Sequence, residues 1–198
     1  MADQFDHFDR LYRAKADPWN YETSPYEAQK YDATIAALTK MHYPSAIEAG
    51  CSIGVLSERL SSRCSRLLAL DFASFAVAQA QKRLNPFPNA TAQCATLPDG
   101  WPRGLYDLIM LSELVYYLSA PDVAKLARLV ARDAARDAEC VLVHYQGDTQ
   151  TEISPDVARD LFCNTVADLR QITIVDHPAT GSYNHRTVLF RDTALTSF

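Results

Sequence analysis

The sequence Glu48-Ala49-Gly50-Cys51-Ser52-Ile53-Gly54 follows a short apolar run, and the next apolar run, Leu67-Leu68-Ala69-Leu70, ends in Asp71. Glycines at the end of a buried strand let backbone approach a ligand, because no Cβ stands in the way. A carboxylate ending the neighbouring strand is placed to accept hydrogen bonds from ribose hydroxyls. Turns that bind a dinucleotide pyrophosphate read Gly-x-Gly-x-x-Gly. Here the pattern is Glu-x-Gly-x-x-x-Gly, without a third glycine and with an acid ahead of the first. Glu48 would repel a pyrophosphate but would accept hydrogen bonds around the amino group of a cationic ligand.

S-adenosylmethionine is such a ligand, since it carries an ammonium, a sulfonium and a ribose. Methyl transfer is an in-line displacement at carbon, which asks the protein chiefly to align the acceptor, the methyl and the sulfur and to exclude water. Glu113, just after the strand-like Tyr106-Asp107-Leu108-Ile109-Met110-Leu111-Ser112, is the first candidate for orienting or deprotonating an amine acceptor. His144, at the end of Glu139-Cys140-Val141-Leu142-Val143-His144, is the second. Each also has a plain role open to it, Glu113 as a helix-start carboxylate and His144 as a hydrogen-bonded strand end.

These residues need an alternating scaffold, and the hydrophobic pattern supplies one. Strands are expected at Ser45 to Ala49, Leu67 to Asp71, Ala90 to Ala95, Tyr106 to Ser112 and Glu139 to His144. Helices are expected at Gly54 to Cys64, at Ser74 to Leu84 with Ser74 as cap, from Pro121 with Val123, Leu126, Ala127, Val130 and Ala134 on one face, and from Ser154-Pro155-Asp156 with Val157 and Leu161 inward. Gln171 to Asp176 and Arg186 to Arg191 read as an antiparallel pair joined by a long insert. Residues 1–44 precede the first strand and contain a helix from about Pro25 to Leu38, with Tyr31, Ile35 and Leu38 on one face. This arm gathers Trp19, Tyr21, Tyr26 and Tyr31 beside Glu27 and Lys30, as a lid would.

Composition limits the partners. At 198 residues and 48% apolar the chain suits one α/β domain. A net charge of −5 with scattered Lys and Arg speaks against nucleic acid. Five widely spaced cysteines form neither a metal-ligand pair nor an even disulfide framework, which suits a reducing cytoplasm. No signal-like start and no membrane-length apolar run is visible. With no Cys-x-x-Cys pair and no His at zinc-finger distance, no metal is expected.

The strand, the glycines, the acid spacing and the terminal hairpin resemble motifs one and two of the class I S-adenosylmethionine-dependent methyltransferases. That resemblance implies a Rossmann-like three-layer sandwich, with a seven-stranded, mostly parallel sheet and a C-terminal antiparallel hairpin. In that family an acid before Leu-Pro holds the adenine amino group; Thr96 stands in that place, before Leu97-Pro98. The implied cofactor site comprises Glu48, Ala49, Gly50, Cys51, Ser52, Ile53, Gly54, Asp71, Phe72, Thr96, Leu97 and Ser112, with Trp19 shielding the sulfonium and Lys30 meeting the methionine carboxylate. The Asn/Asp-Pro-Pro-Tyr motif of enzymes that methylate nucleic-acid bases is absent after the fourth strand, where Ser112-Glu113-Leu114 stands.

The segments Asp17 to Tyr31, Glu48 to Gly54 and Ser112 to Leu118 are similar to the NodS nodulation methyltransferases of rhizobia. What that likeness implies is N-methylation of the free amine on the non-reducing-end glucosamine of a de-N-acetylated chitooligosaccharide, a step towards lipochitooligosaccharide signals. Tyr21, Tyr26, Tyr31, Tyr116 and Tyr117 would then offer faces and hydroxyls to the sugar beside Glu113, although aromatic residues in such positions also serve as core packing. Methylation of another small amine, hydroxyl or thiol remains an alternative, as does a nicotinamide-dependent oxidoreductase or a silent nucleotide-binding module.

Overall fold

In a computed structural model, which describes residues 8, 10–147, 149–177 and 183–190, seven strands form one sheet in the order β3-β2-β1-β4-β5-β7-β6. The strands are β1 (Ala46–Ala49), β2 (Leu67–Asp71), β3 (Ala90–Cys94), β4 (Tyr106–Ser112), β5 (Ala134–Tyr145), β6 (Ile172–Asp176) and β7 (Tyr183–Phe190). β1 to β5 pair in parallel, and β7 runs antiparallel to both β5 and β6. This is the class I methyltransferase arrangement, and strand order reverses between β1 and β4. A ligand in such a sheet binds beyond the carboxyl ends at that reversal, where Gly50 and Glu113 stand.

Helices cover both faces. On one lie α1 (Pro25–Ala36), α2 (Val55–Ser61) and α3 (Ser74–Leu84); on the other lie α4 (Ala120–Asp133) and α5 (Pro155–Ala167). Strand alternation sorts the core between them: Leu108 and Met110 of β4 pack with Tyr31, Leu56, Leu60 and Leu84, while Ile109 and Leu111 pack with Val123, Leu126 and Phe162. All four of these β4 side chains are fully buried. Each large aliphatic side chain so buried contributes about 1.5–3 kcal/mol.

Serines and prolines set three of the helix starts. Ser24, Ser119 and Ser154 each accept a backbone N–H of the first turn, with a proline at one of the first two positions of each helix. At α3 the cap is Ala73 rather than Ser74, and it makes no side-chain bond; Asp71 Oδ1 accepts the Ala73 N–H instead, 2.9 Å away. α2 is shorter than its sequence suggests, because the Ser61 and Ser62 hydroxyls bond the Glu58 and Arg59 carbonyls as the helix closes.

Two further expectations are corrected. β5 begins at Ala134, directly from the end of α4, and its register against β4 shifts between Tyr106 and Leu108. The inward face of α5 is Ala158, Phe162, Cys163 and Val166, leaving Val157 exposed, since the larger Phe162 takes the core position. β7 lies inside the sheet and β6 at its edge. Residues 178–182 of the insert, Arg191 and residues 1–7 of the arm fall outside the described residues. Among the described residues no helix is long and apolar enough to cross a membrane, and no His, Cys, Asp and Glu group is arranged to hold a metal.

Candidate active site

The carboxyl ends of β1, β2 and β4 open into a cavity of about 380 Å³, roofed by the N-terminal arm. At its floor the chain turns at Gly50 with φ +84°, and a Cβ there would meet the Ser112 carbonyl oxygen at 2.5 Å. Only glycine fits between these strand ends. Gly54 serves differently: a Cβ on it would press the Ala80 backbone at 3.0 Å, so it packs α2 against α3 and does not line the cavity.

Asp71 is fixed on two sides, accepting the Ser52 N–H at Oδ2 and the Ala73 N–H at Oδ1, both at 2.9 Å. Burial raises its pKa. It faces the cavity with Phe72, Ala95 and Leu97, so one end combines a carboxylate with apolar walls. Glu48 is buried behind the turn, where its Oε2 accepts the Ser57 hydroxyl at 2.5 Å and burial pushes it up to about 7. Ala49, Cys51 and Ile53 are likewise buried behind the lining, and Thr96 is exposed outside it.

The other end is charged and aromatic. Glu113 adopts φ +55° while its N–H donates to the Val143 carbonyl, which aims the side chain inward. Its Oε2 accepts the Tyr116 hydroxyl, and its Oε1 is shut off from solvent yet accepts no hydrogen bond among the described residues. Burial raises Glu113 to about 7 against the lowering effects of Lys30 and Tyr116. Lys30 lines the same end, paired with Glu27. Tyr21, Tyr117, Tyr145 and Tyr183 complete the wall.

Of the tyrosines expected here, Tyr31 belongs to the core beneath the Arg59 guanidinium, and Tyr26 lies against Tyr183 outside the lining. His144 also lies outside it, on the α5 side of β5, and is 1% exposed with neither ring nitrogen hydrogen-bonded. Burial, then Arg159 and Arg186, lower its pKa to about 3, which favours the neutral imidazole, and its ring packs 5.9 Å from that of Tyr116, which lines the cavity where His144 does not.

The roof is an aromatic chain. Phe8 touches Trp19, Phe72 and Tyr117, and Trp19 touches Tyr12 and Tyr21, with ring centres 5.3–5.9 Å apart. The Tyr12 hydroxyl bonds Ser52 Oγ at 2.6 Å, and Arg83 ties Glu22 of the arm to the Ile53 carbonyl and Glu58. Phe8, Tyr12, Tyr145, Thr149 and Tyr183 line the cavity without being picked out from sequence. For Tyr145 a signal existed, since it continues the alternation of Val141 and Val143; Tyr183 carries no local signal.

Sheet order, glycine turn and acid after β2 define a class I methyltransferase fold. The solved structure of a putative methyltransferase from Pseudomonas syringae shares it at 28% identity, a TM-score of 0.69 and coverage of 83% of this chain and 98% of that one. The N-methyltransferase NodS from Bradyrhizobium japonicum, solved with S-adenosyl-L-homocysteine, shares it at 18% identity, a TM-score of 0.76 and coverage of 96% and 98%. The family model of Nodulation protein S (NodS) matches residues 3–140, and the chain belongs to that family. Nodulation protein S of Rhizobium tropici is 26% identical over 151 residues, 68% of this chain and 63% of that protein. That of Sinorhizobium fredii is 28% identical over 130 residues, 64% and 59%. The chain thus spans about three fifths of the length of these two relatives.

Proposed function

We propose that the chain is an S-adenosylmethionine-dependent N-methyltransferase, acting on the free amine of the non-reducing-end glucosamine of a de-N-acetylated chitooligosaccharide in lipochitooligosaccharide synthesis. The observation that carries the reading is Glu113, a buried carboxylate that lines the cavity and whose Oε1 accepts no hydrogen bond among the described residues, with the Lys30 ammonium 4.0 Å from it. A buried acceptor without a donor is costly, and an amine N–H supplies one. Family membership and the aromatic wall support a sugar amine as its source.

The residues at the other end fit the cofactor. Asp71, already oriented by two N–H groups, would take the ribose hydroxyls, and Phe72, Ala95 and Leu97 would flank the adenine. When bound, S-adenosylmethionine supplies a methyl group on a positively charged sulfur. Glu113 would orient the acceptor nitrogen and take up one of its protons, leaving the nitrogen lone pair free to receive the methyl group, and would pass that proton to water after release. Trp19, Tyr21 and the roof they belong to act as a lid that excludes water. We place the reaction in the cytoplasm, where the cysteines stay reduced.

Labelled cofactor incubated with chitooligosaccharide de-acetylated at its non-reducing end, and in parallel with the fully acetylated form, tests the acceptor. Label is expected on the former alone, and label on neither overturns the assignment. Glu113→Gln should lower kcat by about 10²–10⁴-fold while leaving S-adenosylhomocysteine affinity unchanged.

A further inference from the structure

A lysine ammonium lies buried at the acceptor end between two carboxylates. Lys30 is 2% exposed, with Nζ 2.6 Å from Glu27 Oε2 and 4.0 Å from Glu113 Oε1. The face of Tyr183 lies 4.2 Å from the same nitrogen, with Tyr31 at 5.2 Å and Tyr21 at 5.6 Å. Glu27 is held in turn by the Tyr183 hydroxyl at 3.2 Å. Removing an ammonium from water costs several kcal/mol unless charges and ring faces compensate it. Here both do, and the carboxylates outnumber the ammonium.

Resting on the amine-acceptor reading above, we propose that Lys30, clamped by Glu27, is a positioning residue that keeps Glu113 ionised, and that the Glu27–Lys30–Glu113 row selects an acceptor entering as an ammonium. With Glu113 ionised the row carries one uncompensated negative charge, and Glu27 and Lys30 are themselves buried. An alkylammonium completes it, whereas a hydroxyl, a thiol or an acetylated amine leaves it unbalanced. Tyr21 and Tyr183, whose rings already hold the Lys30 ammonium, line this end together with Tyr116, Tyr117 and Tyr145, and such aromatic surroundings favour a cation.

The groups that face Glu113 are Lys30 and Glu27 from α1, Tyr116 and Tyr117 from the 3₁₀ turn Val115–Tyr117, Tyr145 from β5, whose backbone N–H lowers the Glu113 pKa, Tyr183 from β7 and Tyr21 from the arm. Lys30 lowers the Glu113 pKa and Glu27 raises it. Against an amine with a pKa of about 7.7–8.0, the reference range for α-amino groups, a carboxylate near 7 takes up the proton and gives it back at little cost.

Protein enriched in ¹³C at the glutamate carboxyls, saturated with S-adenosylhomocysteine, reports the Glu113 titration by NMR, with Glu113→Gln assigning the resonance. Lys30→Met is expected to move the midpoint up and Glu27→Gln to move it down, each by about one pH unit. In methyl transfer to the de-acetylated oligosaccharide, the acid limb of kcat/KM should follow each shift. Unmoved midpoints, or shifts of the same sign, overturn the proposal; should Lys30→Met fail to fold, Glu27→Gln decides alone. The second arm is calorimetric binding of glucosamine and N-acetylglucosamine to the S-adenosylhomocysteine complex near pH 7. Glucosamine is expected to bind about tenfold tighter, and equal affinities overturn the selectivity. The carboxyl titration needs no acceptor, so absence of sugar methylation refutes the amine reading without deciding whether Lys30 sets Glu113.

Discussion

Gly50 and the carbonyl of Ser112 are fitted to one another across the reversal of the sheet, with room of only 2.5 Å for any Cβ. Ser112 pairs with Val143 in the neighbouring strand, so its carbonyl cannot retreat alone. Gly50 also has φ +84°, which costs a residue with a side chain about 1–2 kcal/mol. Gly50→Ala should therefore destabilise the fold by about 2–4 kcal/mol, read as a lower denaturant midpoint, and should weaken S-adenosylhomocysteine binding in parallel. A variant as stable as the parent would show that the turn can open without β4.

Asp71 has its own bonds to Ser52 and Ala73, so its orientation precedes any ligand. Asp71→Ala is expected to raise the S-adenosylhomocysteine dissociation constant about 10- to 150-fold, equivalent to about 1.5–3 kcal/mol. Calorimetric titration measures it, and an unchanged constant removes Asp71 from the cofactor contacts.

Thr96, which the sequence resemblance assigns to the adenine amino group, is exposed and outside the cavity lining, which Leu97 enters instead. Thr96→Ala should change cofactor affinity by less than about 0.5 kcal/mol. A loss comparable to that of Asp71→Ala would mean that the loop rearranges around the ligand.

The ends of β1, β2 and β4 were legible because short, mostly apolar runs give way at Gly50, Asp71 and Glu113, which strand chemistry marks without help from tertiary structure. The charged end was less so. Lys30 and Glu27 are spaced for a surface ion pair on a helix, and nothing local tells that α1 turns them inward beneath Tyr183, a residue distant in sequence. His144 misled for a related reason. A histidine ending a central strand looks aimed at the site, but alternation along β5 gives the cavity to Tyr145 and sends His144 to the opposite face.

That buried imidazole gives acid sensitivity with a defined sign. Its folded pKa of about 3 lies below the unfolded value near 6.5, so as pH falls the unfolded chain takes up a proton that the folded chain refuses. The stability contributed by neutral His144 is present above about pH 6.5 and is lost towards pH 3, at about 1.4 kcal/mol per pH unit. His144→Leu should gain about 2 kcal/mol relative to the parent between pH 6.5 and 5, measured by urea denaturation at each pH. A difference independent of pH would show that the imidazole charges within the folded protein.

The two tryptophans of the chain have opposite surroundings. Trp101 is buried, its indole N–H bonded to Asp133 at 3.0 Å, whereas Trp19 is 38% exposed in the roof between Tyr12, Tyr21 and Phe8. The molecule therefore contains its own optical probe. Trp19 lines the cavity and Trp101 does not, so a change in emission when a ligand enters beneath the roof is expected from Trp19 and should vanish in Trp19→Phe, which lets the order of cofactor and acceptor entry be followed in a stopped-flow fluorimeter with no label attached.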